Sequence, residues 1–333
     1  MSTPIVKPPD RLRIVSGPAP LHTASFAEDV RDGLGASPKR LPSKYFYDAL
    51  GSALFDAITL LPEYYLTRAE TEILREWGWE MVRAIGNPVD FLELGSGSAV
   101  KTRILIEEAL RAQSRLRYSP IDISQEALRA SATGLVESYP SLEVIAYAGD
   151  YFSILQTNAV ARPGRVLAMF MGSNIGNYEP HDGKELLMRI AAALKPGDGL
   201  LLGADLKKDP AVLHAAYSDP TGVTSAFNLN LLARINRELG GHFDLGDFRH
   251  VAEYDEKAGC VRSYLQAIRA VNVPIDALDT TIAFASGERV HTESSYKYSD
   301  EDIAVLAEET GYDFIRSWND TQGQFSVNLM QRR

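Results

Sequence analysis

A single cysteine, Cys260, among 333 residues leaves no partner for an internal disulfide and no multi-cysteine metal site, which suits a reducing compartment. Positive charge is also in short supply: 34 Lys and Arg face 44 Asp and Glu, a formal net charge of −10. Binding to a phosphate backbone depends on clustered cations, and here they are scattered among acids, so a small ligand is expected and nucleic acid is not. No apolar run is long enough to cross a bilayer, and MSTPIVKPPDRLRIV lacks the continuous apolar core of a signal peptide. A cytoplasmic protein without membrane contact is the expectation. The six histidines never fall in HxxxH or HExxH spacing, so no metal site is written locally and none is expected.

What is present has a clear order. Residues 1–21, rich in proline and polar groups, read as a loose leader, with order beginning near SFAEDVRDGL. Apolar residues at helical spacing then flank a break at Pro62, in the loop LPEYY. From VDFLEL onward, short apolar runs of strand length alternate with helical runs as far as GLLLGADL, which predicts an α/β fold with a doubly wound parallel sheet. After Leu206 come long helical stretches and alternating segments that read as a second α+β unit, before a helix (DEDIAVLAEETGY) and a closing hairpin return to the first sheet. The predicted division is 22–67 with 206–296 for the second domain, and 68–205 with 297–333 for the core.

The stretch LELGSGSAVKTR is a glycine turn between strand and helix. A dinucleotide fingerprint needs a third glycine where Val100 stands, and a P-loop needs Lys and Ser or Thr directly after a glycine, where Lys101 and Thr102 instead follow Val100. The remaining pattern, Glu93 followed by Gly95 and Gly97 with small Ser98 and Ala99, suits a ligand with a carboxylate, a ribose and an adenine but no pyrophosphate. Three further strand ends carry matching groups. Asp122 can accept from both ribose hydroxyls or cap the helix that follows it; Asp150 and Tyr151 of GDY can grip adenine; Asn174 and Asn177 of MGSNIGNYEP stand at the mouth. S-adenosylmethionine is the cofactor these ends predict together.

The runs KYFYDALGSALFDAITLLPEYYLTRAE, LELGSGSAVKTR, GSNIGNYEP and TESSYKY resemble the histidine N-alpha-methyltransferase family of ergothioneine biosynthesis, over nearly the whole chain from about Phe26. The resemblance implies a class I S-adenosylmethionine-dependent methyltransferase core with a C-terminal antiparallel hairpin and a second α+β domain inserted before the last helix and hairpin; a monomer is the expectation for the assembly. It implies that Gly95, Lys101, Asp122, Asp150 and Tyr151 hold S-adenosylmethionine. Tyr64, Asn177 and Tyr217 would hold the amino acid's backbone groups, and Glu293 and Ser295 would meet its imidazole. Tyr47 and Tyr64 would be the catalytic aromatics, Tyr47 supporting the Tyr64 side. The implied activity is trimethylation of the α-amino group of L-histidine. One departure stands out: where the family carries Met beside the side-chain pocket, in the segment matching CVRSYLQA, this chain has Ser263, smaller and more polar. Another aromatic amino acid or a histidine derivative is therefore the alternative substrate, and a non-catalytic S-adenosylmethionine sensor is the alternative from another class.

Overall fold

The computed structural model describes residues 11–17, 25–156 and 164–333. The chain opens on β1 (Leu12–Ser16) and α1 (Phe26–Gly35), whose first turn is closed by a reciprocal cap between Ser25 and Glu28. A short strand, β2 (Lys39–Arg40), precedes a 3-10 turn at Ser43–Phe46, then α2 (Ala49–Thr59), which Asp48 caps, and α3 (Leu66–Arg83). Strand and helix then alternate through β3 (Val89–Leu94), α4 (Thr102–Ala112), β4 (Leu116–Asp122), α5 (Gln125–Ser138) and β5 (Leu142–Ala148). The alternation continues with α6 (Tyr151–Gln156), β6 (Arg165–Phe170), α7 (Pro180–Ala193) and β7 (Gly199–Asp205). Two helices, α8 (Pro210–Tyr217) and α9 (Val223–Leu239), lead to β8 (Phe248–Asp255), β9 (Cys260–Ala267), β10 (Val271–Ile275), β11 (Thr280–Phe284) and β12 (Arg289–Tyr296). The chain closes with α10 (Asp300–Glu309) and the hairpin β13 (Tyr312–Asn319) and β14 (Phe325–Arg332). Among the described residues no helix is long and apolar enough to cross a membrane.

Contacts divide the chain into two units. One comprises Met1–Leu21, Arg68–Leu206 and Tyr298–Arg333; the other comprises His22–Thr67 and Lys207–Lys297. Residues 1–10, 18–24 and 157–163 lie outside the described residues.

The first unit is built on an eight-stranded sheet in the order β1-β5-β4-β3-β6-β7-β14-β13. Its strands run parallel from β1 to β7, and only the closing hairpin is antiparallel. Strands covered on both faces read as near-continuous apolar runs, as the wholly buried β7 does up to its last residue, Asp205. The order reverses between β3 and β6, so the carboxyl ends of these two strands open the crevice where such sheets take ligands.

One sequence expectation needs correction. Residues 12–16, assigned to the loose leader, form β1 and pair in parallel with Val144–Ala148 of β5. Arg11 clamps the strand: its guanidinium donates to the carbonyls of Val136, Tyr139 and Leu142 at 2.8–2.9 Å, at the end of α5 and the start of β5. LRIVS is too short, and too closely bordered by proline, to declare itself as a strand. Its partner lies some 130 residues away, as the register Leu12 to Val144 shows.

The second unit packs helices against a four-stranded sheet, β2-β12-β9-β8, beside the hairpin β10-β11. Phe227, Leu231, Leu232 and Ile235 of α9 lie in its core with Phe46, Leu265 and Val290. Asp48 ties the KYFYD turn to α9, accepting from Gly51 N at 2.6 Å, from Asn230 Nδ2 at 2.9 Å and from Arg237.

Replacing Arg11 removes three charge-assisted bonds to carbonyl oxygens. Arg11→Ala is therefore expected to lower stability by about 2 kcal/mol in denaturant titrations. It should also speed amide exchange in Val144–Ala148 ahead of the rest of the sheet; unchanged exchange there would contradict the assignment of β1.

Candidate functional site

In the first unit the glycine turn leaves β3 in left-handed backbone at Gly95 (φ 70°), Gly97 (φ 49°) and Ala99 (φ 54°). Glycine takes that conformation without the penalty of a Cβ, which is why the turn is written GSG. Two bonds hold it to the neighbouring strand end: Gly95 N donates to Ile121 O at 2.8 Å, and Gly97 N donates to Asp122 Oδ2 at 2.8 Å. The other oxygen of Asp122 accepts from Ser124 N at 2.9 Å, and Ser124 in turn caps α5. Asp122 thus braces the turn and shapes the entry to α5, while each carboxylate oxygen keeps a further lone pair.

Glu93 lies inside. Buried beneath the turn, it accepts from Thr102 Oγ1 at 2.8 and 2.9 Å and from the Tyr118 hydroxyl, and so fastens the first residue of α4 to β3 and β4. Burial pushes its carboxyl up to about 7, against the pull of these bonds. Asp150 accepts at 2.9 Å from both Ser153 N and Ser153 Oγ, capping α6. The Tyr151 ring packs on Phe152 and Phe170, and its hydroxyl meets that of Tyr178. Asn177 ends the 3-10 turn Asn174–Asn177 that follows β6, partly buried. Asn174 of the same turn reaches the glycine turn, its Nδ2 standing 3.4 Å from where a Cβ on Gly95 would be.

Lys101 pairs with Glu70 of α3, a fully buried carboxylate that sequence reading passed over. The other oxygen of Glu70 accepts from Gly172 N at 2.7 Å, just past β6. Gly203 of β7 makes room, because a Cβ there would come within 2.4 Å of Glu70 Oε1. One carboxylate therefore joins α3, the start of α4 and the end of β6. The resemblance assigns Lys101 to the ligand; in the structure its ammonium is engaged with Glu70. Glu70 sits in TRAETE among other acids, and nothing local distinguishes it.

In the second unit, Tyr47 and Tyr64 flank Phe55, edge-on to it at ring-centroid distances of 5.6 and 6.2 Å. Tyr47 also meets Phe227 at 5.8 Å. Phe55 is a second residue that sequence reading left unremarked, although its spacing in ALFDAIT places it on the same helix face as core residues such as Ile58.

The remaining site residues come from β12 and α8. A bulge on β12 between His291 and Glu293 sets one extra residue against β9. Before it Val290 pairs with Leu265; after it Glu293 pairs with Ser263, and Ser295 with Val261. Strict alternation from Val290 would turn Thr292 and Ser294 toward the core face; the bulge leaves Thr292 buried against Asn228 of α9 and turns Glu293 and Ser295 to that face in place of Ser294. Ser263, singled out as the departure from the family, is thus the direct neighbour of Glu293, with Ala252 on its other side. The cross-strand neighbour of the carboxylate is thus a small side chain. Burial pushes Glu293 up to about 7, with the Lys297 ammonium drawing it back. Tyr217, at the end of α8, sets its hydroxyl 2.8 Å from Ser295 Oγ. The buried Lys297 donates to both, at 2.8 and 2.7 Å, a partner the sequence did not reveal.

Residues 26–332 match the family model of histidine-specific, S-adenosylmethionine-dependent methyltransferases. The histidine N-alpha-methyltransferase of Mycolicibacterium smegmatis is 43% identical over 308 residues, covering 92% of this chain and 95% of that protein. Its counterpart from Mycobacterium tuberculosis is 42% identical over 305 residues, covering 92% and 94%. Ergothioneine biosynthesis protein 1 of Neurospora crassa is 31% identical over 303 residues, which are 89% of this chain and 33% of that protein.

Two stability tests follow from the buried carboxylates. Lys101→Met leaves Glu70 buried without its cation and is expected to cost about 3 kcal/mol, whereas Lys101→Arg should keep most of the stability. Glu93 has a higher pKa in the folded state than its ordinary 4.5, so folding takes up a proton between the two values. Its contribution is fully present below pH 4.5 and is lost as the pH rises to about 7. Glu93→Gln should flatten the pH dependence of the denaturation midpoint across that interval; a slope identical to that of the parent protein would refute the assignment.

Proposed function

The chain belongs to the histidine-specific, S-adenosylmethionine-dependent methyltransferases, and from that premise we propose that it methylates the α-nitrogen of L-histidine three times. The product is the trimethyl betaine, hercynine, and the step belongs to ergothioneine biosynthesis. Family membership carries the reading. The adjacency of Tyr217, Ser295 and Glu293 supports it, because a carboxylate beside hydroxyls suits a ring with two nitrogens.

Gly95, Asp122, Asp150 and Tyr151 would hold the cofactor, with Lys101 acting through Glu70 as a positioning residue. The residues fit that group. Gly97 has open space where a Cβ would stand, and Asp122 keeps lone pairs next to it for a ribose. Bound S-adenosylmethionine supplies the methyl group on a sulfonium centre, an electrophile that needs no metal to react.

Tyr64, Asn177 and Tyr217 would hold the α-amine and α-carboxylate, and Glu293 and Ser295 the imidazole. The protein's task is to present a neutral amine in line with the methyl carbon: the nitrogen lone pair forms the N–C bond, the C–S bond breaks, and the amine proton leaves. A peptide-type α-amine has a pKa of about 8, so no strong base is obligatory, and water or a Tyr-linked route to water carries the proton away. As methyl groups accumulate the nitrogen becomes a fixed cation, and the faces of Tyr47 and Tyr64, set around Phe55, favour it.

Ser263 supports a second reading with the same chemistry. Beside Glu293, a small side chain leaves room for a histidine derivative or another aromatic amino acid.

Incubation with methyl-labelled S-adenosylmethionine and single amino acids tests both readings. Histidine-dependent transfer ending at the trimethylated product is expected, and transfer to other amino acids with none to histidine would favour the second reading. Glu293→Ala should lower kcat/KM for histidine roughly a hundredfold, the scale of losing a ring hydrogen bond, and leave cofactor affinity unchanged. No transfer to any amino acid would leave a cofactor-binding sensor.

A further inference from the structure

Tyr47 is 42% exposed, so packing holds only part of its ring, and the KYFYD turn that carries it must be fixed by other means. Four residues of α9, Phe227, Asn230, Arg234 and Arg237, recur at helical spacing on one face and meet that turn residue by residue. Arg234 donates to Tyr45 O at 3.0 Å, and the Phe227 ring meets those of Phe46 at 4.6 Å and Tyr47 at 5.8 Å. Asn230 and Arg237 donate to the Asp48 carboxylate. Arg237 also donates to Asn230 Oδ1 at 3.4 Å, which sets that amide with its nitrogen toward Asp48.

The oxygen of Asp48 that accepts from Asn230 also accepts from Gly51 N at 2.6 Å, in the first turn of α2. A Cβ on Gly51 would come within 1.7 Å of Phe46 O, so α2 begins directly against the turn. Phe55, one helical turn further on, is placed with it. One carboxylate thus ties three segments: the turn with Tyr47, α2 with Phe55 and α9 with Phe227. Tyr47 stands edge-on to both rings, at 5.6 and 5.8 Å with interplanar angles of 75° and 64°. The segments that Asp48 joins are therefore those that carry Tyr47 and the two rings that bracket it.

A neutral primary amine has two N–H bonds by which hydrogen-bond acceptors can orient it. Each methyl transfer, followed by loss of a proton, replaces one of them, so the neutral dimethylated nitrogen has none. In the third transfer the lone pair forms the N–C bond, the C–S bond breaks and no proton leaves, which makes the product a quaternary cation. For that step the nitrogen is aimed by the surfaces around it, aromatic faces above all, and small displacements are costly. Resting on the amino-acid methylation reading above, we infer that Asp48 is a positioning residue for the third methyl transfer, because it holds the Tyr47 ring against which the dimethylated amine is seated.

The test is the ratio of kcat/KM for Nα,Nα-dimethyl-L-histidine to that for L-histidine at saturating S-adenosylmethionine, which sets the third transfer against the first. Asp48→Ala is expected to lower the ratio about tenfold, with the dimethylated intermediate accumulating when histidine is supplied. Arg237→Gln, at a half-exposed side chain, should lower it about threefold, and Arg237→Lys, which keeps the cation, should restore most of it. In a Tyr47→Ala background Arg237→Gln should lower the ratio no further; a further fall there places the effect outside Tyr47 and overturns the inference. A merely structural role slows both substrates alike, so an unchanged ratio in folded Asp48→Ala overturns it too. Should that variant not fold, Arg237→Gln is read in the same way: a lowered ratio supports the inference and an unchanged one overturns it. Turnover of histidine by the unaltered protein separates the two levels. If histidine is not methylated, the parent reading falls and this one with it; if it is trimethylated while the variants keep the ratio, only this one falls.

Discussion

A carboxylate taken fully out of water must be met by a cation and by hydrogen-bond donors, and Glu70 imposes that requirement at the centre of the parallel sheet. Its two oxygens are met by Lys101 at the start of α4 and by the backbone of Gly172 after β6. These are the two chain segments that leave the sheet on either side of its switch point. If either moved, a buried charge would lose a partner, which is far costlier than the loss of a surface pair. The glycine turn thus gains a definite position from a residue that never enters it. Gly203 belongs to the same constraint, since the carboxylate occupies the space a side chain on β7 would need. Beneath the turn Glu93 acts comparably through neutral donors, Thr102 and Tyr118.

The second unit reaches its chemistry through backbone irregularity. One extra residue on β12 brings Glu293 and Ser295 to the face that Val290 occupies earlier in the strand, and the helix end at Tyr217 completes the group. A regular strand would have presented Thr292 and Ser294. Thr292 is put to another use: its single hydroxyl proton lies between two acceptors, Ser263 O and Asn228 Oδ1, each 3.0 Å away, which ties the bulge to β9 and α9. The irregularity is therefore held in place by bonds of its own, as expected of bulges that re-aim side chains.

What the sequence discloses follows from how local each signal is. VDFLEL, the glycine turn after it and the helical period of TRILIEEALRAQ lie within a dozen or so residues, and each was legible as strand, turn and helix. The same holds for the strands that end at Asp122 and Ala148, and for the closing hairpin. Strand β1 was not legible, because its justification is a partner strand far along the chain and a guanidinium clamp on carbonyls after α5. Glu70 and Lys297 were missed for a related reason: each looks like an ordinary surface charge until tertiary contacts bury it. The direction in which Glu293 points could not be derived from alternation, since a bulge reverses the parity on which alternation depends. Resemblance to a family supplied that residue where periodicity would have supplied its neighbour.

Strand β1 has a consequence for how the sheet is protected. Its parallel partner, LEVIAYA, is apolar along most of its length, and without β1 it would end the sheet with a row of unpaired amide and carbonyl groups. Such an open edge invites the backbone of another chain. The five residues from Leu12 to Ser16 meet those groups with backbone from the same chain and leave only a short strand at that side of the sheet.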